Sequence, residues 1–364
     1  SLLGRFGGDE FLVLIDGLRD TQDTVRLGER LMGEIEPPFS IFGSEVHCNA
    51  SIGIAIGRPG GIGAEELIRN ADLAMYEAKH AGRACVVVFN EDMHTRQLRR
   101  ATLENALRHA IGTDQMWMVY QPIVDLNTGR RCSVEALVRW HHPVLGVVSP
   151  GEFIPIAEES GLIVPLGRWI LNEACSAMRH WRSTVPARAP DTISVNLSRA
   201  EISLGSALRE HIVATLQRHD LPPSCLQMEV TEREFMRNPD RALALLRELK
   251  SLGIRLAMDD FGTGTSSLSM LRHYPFDTIK IDRSFVQDLA QGADVLALIH
   301  ATIHLIENLG MTSLAEGVEE PQQVAILQSL GCRLGQGYLF SRPLTAEQVV
   351  EDIEPVKLEL RASA

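Results

Sequence analysis

From Trp117 to Gln336 the sequence alternates between short apolar runs and stretches of helical spacing, and this alternation limits the fold more than any other feature. The strand candidates are Trp117–Val124, Cys132–Trp140, Thr192–Leu197, Leu226–Thr231, Arg255–Asp259, Thr278–Asp282, Thr312–Glu316 and Arg333–Gln336. Helical patterns fall between them, for example Gly167–Trp181, Leu208–His219, Arg241–Leu252, Val295–Leu309 and Pro321–Leu330. Eight strands with intervening helices fit an α/β fold of the (β/α)8 TIM-like barrel type better than an open sheet. One connection breaks the pattern. Asp125-Leu126-Asn127-Thr128-Gly129, between the first two strands, is too short for a helix. It reads as a hairpin, so one strand is expected to run antiparallel to the rest.

Polar groups recur where these strands end or near there. Glu135 lies on the second strand, Asn196 ends the third, Glu229 lies on the fourth and Asp259-Asp260 closes the fifth. Lys280 lies on the sixth, Glu316 ends the seventh with Glu319 beyond it, and Gln336 ends the eighth. In a barrel the C-terminal strand ends converge on one rim, where active sites are built. Oxygen ligands with one lysine suit hard divalent cations and phosphate. Any one of these residues by itself reads first as an ordinary polar strand-end residue. Asp259-Asp260 constrains more, because adjacent carboxylates repel and need a cation or hydrogen-bond donors beside them. The whole series does not fit independent accident. His141-His142, by contrast, reads as structural, since neighbouring side chains on a strand face opposite sides.

The formal net charge of −12 argues against a duplex nucleic-acid binder, which would carry a basic face. It leaves room for a small phosphorylated substrate held through cations. The six cysteines are scattered without a CxxC pair, which fits a reduced, cytoplasmic protein rather than a cysteine zinc site. No run approaches the length of a membrane span, and no signal peptide is visible. The start at Ser1 reads like a fragment, leaving room for upstream segments in a parent protein.

Glu135-Ala136-Leu137 with Arg139 and Trp140 resembles the signature of the EAL family of cyclic di-GMP phosphodiesterases. Asn196-Leu197-Ser198, Glu229-Val230-Thr231-Glu232 and Asp259-Asp260-Phe261-Gly262-Thr263-Gly264 follow in the family's order. So do Lys280-Ile281-Asp282, Glu316-Gly317-Val318-Glu319 and Gln336-Gly337-Tyr338. The resemblance implies a barrel with one antiparallel strand, two Mg²⁺ or Mn²⁺ ions, and hydrolysis of cyclic di-GMP to linear pGpG. It implies that Glu135, Asn196, Glu229 and Asp259 hold the first cation, and that Asp259 bridges to a second, joined by Asp260. Lys280 would hold or polarise the attacking water, with Glu316 and Glu319 in support. Gln121, Arg139, Asp282 and Gln336 would face the substrate. A homodimer through this domain is a further implication. The competing expectation is a receptor that binds cyclic di-GMP without cutting it, but such receptors typically lose metal ligands. The departure from the family pattern is Thr265, where a tyrosine is usual.

The N-terminal part has its own pattern. Phe11–Ile15, Val46–Ile56 and Cys85–Phe89 read as strands, and Thr21–Glu34 and Glu65–His80 as helices. Arg5-Phe6-Gly7-Gly8-Asp9-Glu10-Phe11 resembles the signature loop of GGDEF diguanylate cyclases, and Ala50–Ala55 and Ala71–Lys79 match later parts of that family. The family's earlier half, with its first metal aspartate, has no counterpart here, so this chain is not expected to make cyclic di-GMP. The expected organisation is a partial α/β GGDEF fragment over residues 1–90, a connecting helix over 91–112, and the EAL phosphodiesterase domain over 113–355.

Overall fold

The structure, a computed structural model, describes residues 1–17, 21–58, 60–80, 82, 84–237, 239–262, 268–290 and 293–351. Thr265, with the rest of 263–267, and the end of the expected barrel domain at 355 lie outside the described residues. The chain divides into two compact units, Ser1–Thr102 and a second beginning at Leu103.

In the first unit β1 (Leu2–Gly7) and β2 (Glu10–Leu14) form an antiparallel hairpin. Gly8 sits at the turn with φ 52, where an L side chain is disfavoured. The first arm of this hairpin was not legible in the sequence. Helix α1 (Thr21–Ile35) is followed by β3 (Phe39–Ile41) and β4 (Ser44–Val46), a second antiparallel pair. Strand β5 (Ile52–Ile54), helix α2 (Ala64–His80) and β6 (Val86–Val88) make a parallel β-α-β unit. The single strand expected over Val46–Ile56 is thus two, serving different sheets. Gly53 lets α2 lie directly on β5, because a Cβ there would stand 2.0 Å from the Met75 backbone nitrogen. Leu73, Ala74 and Met93 form the buried core of this unit. Helix α3 (Asp92–Ala110) runs on into the second unit.

The second unit opens with β7 (Met116–Asp125), β8 (Arg131–His142) and β9 (Gly146–Val148). Helices α4 (Pro150–Ser160) and α5 (Ile163–Thr184) lead to β10 (Thr192–Asn196), then α6 (Arg199–Ile202) and α7 (Ser206–Arg218) to β11 (Leu226–Thr231). Next come α8 (Glu232–Arg237), α9 (Pro239–Ser251), β12 (Arg255–Phe261), β13 (Thr278–Ile281), α10 (Arg283–Gln287) and α11 (Ala293–Asn308). Strand β14 (Thr312–Ala315), α12 (Pro321–Ser329), β15 (Leu334–Gly335) and α13 (Ala346–Val350) complete it.

Strands β10 to β15 lie side by side in chain order and in parallel. Strand β8 pairs in parallel with β10, and β7 closes the ring antiparallel to both β8 and β15. The result is the expected eight-stranded barrel with one reversed strand. The hairpin that reverses β7 is set locally. The Asp125 carboxylate accepts from the Asn127 and Thr128 backbone N–H groups at 3.1 and 2.9 Å, and Gly129 adopts φ 70.

Every residue of β13 is buried, yet the strand alternates Thr278, Ile279, Lys280, Ile281. The isoleucines belong to the apolar core shared with the helices, and the polar residues face the barrel interior. Strands β10 and β11 repeat the pattern. Their inward residues, with Ser133 of β8, make a hydrogen-bonded floor: Ser133 with Thr192 at 2.6 Å, and Gln227 donating to Ser194 at 3.0 Å. Outside the barrel, Trp181 packs edge-on against Tyr120 and donates its indole N–H to the Ala346 carbonyl at 2.7 Å. His142 plays the expected structural part, its Nδ1 accepting from the Val144 and Leu145 backbone N–H groups. Among the described residues no helix is long and apolar enough to cross a membrane.

Candidate active site

Strand pairing brings distant residues level at the C-terminal rim. Gln121 is opposite Glu135, Ser194 opposite Glu135, Asn196 opposite Glu229, and Thr231 opposite Asp259. Lys280 stands at the centre, 1% exposed. Its Nζ lies 2.7 Å from Glu229, 2.8 Å from Glu316, 3.1 Å from Asp259 and 3.5 Å from Glu135. One ammonium therefore faces four carboxylates drawn from four other strands or strand ends.

The electrostatics follow from burial and from this imbalance. Burial pushes the Glu316 carboxyl up to about 8 and the Glu229 carboxyl up to about 7, and the neighbouring carboxylates push the same way. Burial likewise works against the Lys280 charge, but Asp259, Glu135, Glu229 and Glu316 together hold its pKa well above the ordinary lysine value. Burial also opposes ionisation of Glu135. Lys280, with hydrogen bonds from Gln336 and Asn196, outweighs it and holds that carboxyl below its usual range. Asn196 Nδ2 donates to one Glu135 oxygen at 2.8 Å, and Gln336 Nε2 to the other at 2.8 Å and to Gln121 at 3.3 Å.

Adjacent residues of a regular strand point to opposite faces, so Asp259 and Asp260 should not share a site. The structure solves this with an irregularity in β12: its register against β13 shifts between Met258 and Phe261. Asp260 adopts φ 54, a left-handed conformation that costs a non-glycine residue roughly 1–2 kcal/mol. Its backbone N–H donates to the Asp259 carboxylate at 2.9 Å. In consequence Asp259, Asp260 and Glu316 each present an oxygen within 4.8 Å of the others. Burial first, and then Asp259, raises the Asp260 carboxyl. Such an all-oxygen donor set, short of positive charge, suits a hard divalent cation. The Gln336 Oε1 atom is buried without a hydrogen-bond partner, which also fits a rim made to accept a further group.

Three expected site residues make their hydrogen bonds or ion pairs outside the Lys280 cluster, although the Asp282 charge helps raise the Asp260 carboxyl and Arg139 feels the charge of Glu135. Glu319 is exposed and pairs with Arg283 at 3.0 Å. Asp282 caps helix α10, accepting from the Ser284 N–H at 3.0 Å. Arg139 is half-buried and donates to the Val138 carbonyl at 2.8 Å. The structure also adds residues. Glu232, 1% exposed, accepts from the Gly262 N–H at 2.9 Å and so fixes the start of the loop after β12. The floor residues Ser194, Gln227 and Thr278 lie beneath the carboxylates; their sequence signal was the polar alternation inside Thr192–Asn196 and Leu226–Thr231.

Fold and rim together define an eight-stranded barrel with an acidic cluster able to hold a cation at its C-terminal strand ends. The chain belongs to the EAL domain family, whose model matches residues 104–343, and residues 1–85 match the diguanylate cyclase, GGDEF domain family. It is 41% identical to the bifunctional diguanylate cyclase/cyclic di-GMP phosphodiesterase MucR of Pseudomonas aeruginosa, over 96% of this chain and 51% of that protein. It is 37% identical to the cyclic di-GMP phosphodiesterase NbdA of the same organism, over 99% of this chain and 45% of that protein. The chain spans about half the length of the curated relatives it matches. Among solved structures, the MucR phosphodiesterase in complex with c-di-GMP superposes with a TM-score of 0.65 at 42% identity. The match covers 68% of this chain and 99% of that one.

Proposed function

We propose that the barrel hydrolyses cyclic di-GMP to linear pGpG with two divalent cations, Mg²⁺ or Mn²⁺, held at its rim. The observation that carries this reading is the convergence of Glu135, Glu229, Asp259 and Glu316 on Lys280, with Asp260 turned onto the same edge. In this reading Glu135, Asn196, Glu229 and Asp259 hold one cation, and Asp259 and Asp260 the other. Bound there, the cations would neutralise phosphodiester charge and lower the pKa of water.

The chain's own residues supply the rest. Lys280 is kept charged by its four neighbours, so it can orient the attacking oxygen and favour its deprotonated form. Asn196 and Gln336 lock the Glu135 carboxylate by both oxygens, which preorganises a ligand before anything binds. Gln121, Arg139, Asp282 and Gln336 face the substrate. The half-buried guanidinium of Arg139 suits a phosphate oxygen. Glu319 supports Glu316 from the following loop; its exposed pair with Arg283 is of a kind that costs little to exchange. Residues 113–355 are the phosphodiesterase domain in this reading, and 91–112 its connector.

The test is incubation with cyclic di-GMP and Mg²⁺ or Mn²⁺, with the products separated by chromatography. Linear pGpG is expected, and Glu135→Ala should abolish its formation. Binding without any pGpG would replace this reading with a receptor. Full turnover in Glu135→Ala would refute the cation assignment.

A further inference from the structure

The geometry points to a second, chemically different cation site on helix α11, formed by His300 and His304 and taking a transition ion of the Zn²⁺ type. The two residues are four apart, which places them one turn above each other on one helix face. Both are exposed, and so are Ala297 and Ala301 on the same face, whose methyl groups leave the approach to the imidazoles open. The two Nε2 atoms face each other at 2.8 Å, with ring centroids 4.4 Å apart and planes at 80°.

At that separation one ring donates its Nε2 proton in a hydrogen bond to the Nε2 of the other, the tautomers deciding which ring donates. A metal ion can take the place of that proton. Zinc–imidazole bonds of about 2.0–2.1 Å require facing nitrogens ~3.3 Å apart in tetrahedral geometry and ~2.9 Å apart at a right angle. The pair therefore needs to open by ~0.5 Å at most, within the rotation available to exposed side chains. Water completes the shell.

The chemistry separates this site from the rim. Imidazole nitrogen suits Zn²⁺, Ni²⁺ and Cu²⁺, whereas an oxygen-lined rim suits Mg²⁺ and Mn²⁺. Mg²⁺ should therefore fill the rim and leave the histidine pair free.

The test uses the full chain with saturating Mg²⁺, titrated with ZnCl₂. Histidine side-chain ¹H–¹⁵N spectra report which Nε2 atoms respond, and calorimetry counts the ions. The Nε2 resonances of His300 and His304 should shift together. His300→Gln and His304→Gln should each remove one equivalent of Zn²⁺. Both positions are exposed, so both variants should keep the wild-type circular dichroism. Zn²⁺ that displaces Mg²⁺ from the rim binds wild type and variants alike and cannot mimic the loss. Equal Zn²⁺ counts in all three proteins, or no joint shift of the two resonances, would overturn the site.

Discussion

Replacing Lys280 by Met tests the electrostatic logic of the rim directly. The substitution keeps a long apolar stem and deletes the one ammonium among four carboxylates at 2.7, 2.8, 3.1 and 3.5 Å. Removing one partner of a buried ion pair typically costs 3–5 kcal/mol. Here the loss has a ceiling, because one more carboxylate can take up a proton instead. From an ordinary value of 4.5, that costs about 1.4 kcal/mol per pH unit, hence ~4 kcal/mol at pH 7.5 and ~1.4 kcal/mol at pH 5.5.

The sign follows from proton counting. Above pH 4.5 the folded variant holds one more carboxyl proton than the folded wild type, while the two unfolded chains hold the same number, so its deficit grows as pH rises. We expect Lys280→Met to lose roughly 3–4 kcal/mol at pH 7.5 and roughly 1 kcal/mol at pH 5.5. Urea unfolding in the presence of a chelator measures both. Added Mg²⁺ should stabilise the variant more than the wild type, since it supplies charge to the same oxygens. A deficit independent of pH, or one below about 1 kcal/mol at pH 7.5, would refute the reasoning.

The rim also makes cation binding pH-dependent. Glu229, pushed up to about 7, and Glu316, pushed up to about 8, both mainly by burial, hold protons near neutrality. Binding of Mg²⁺ should release about one proton per chain at pH 7, so its affinity should rise from pH 6 to pH 8.5. Calorimetry in buffers of different ionisation enthalpy reads this, and zero release would contradict the assigned ligands. Glu232→Gln removes the charge from the acceptor that receives the Gly262 N–H. It should lower kcat for cyclic di-GMP by roughly 10-fold or more through misplacement of Asp259 and Asp260, while costing only ~1–2 kcal/mol of stability. Wild-type kcat in that variant would dismiss the anchoring role.

Much of the barrel was legible in the sequence because it rests on local rules. The alternation of apolar runs and helical spacing predicts β7, β8, β10 to β15 and the larger helices within a few residues, but not the short strand β9. Asp125-Leu126-Asn127-Thr128-Gly129 predicts the reversed strand, because a turn that short cannot carry a crossover helix. The chemical inventory of the rim was legible too, as residue types at strand ends. What the linear pattern could not supply was anything set by long-range register or by broken periodicity. Period two places Asp260 on the wrong face; only the irregularity in β12 and its left-handed backbone bring it beside Asp259 and Glu316. Nothing local puts Lys280 within reach of four carboxylates, since that follows from closure of the sheet through β7. Nor does sequence order distinguish Glu316, which meets Lys280, from Glu319, which pairs with Arg283 three residues later. In the first unit the same limit split Val46–Ile56, because one apolar run served two sheets with different partners. Local propensity and periodicity determine which elements form and which residue types they carry. Strand register and barrel closure decide which of those side chains meet.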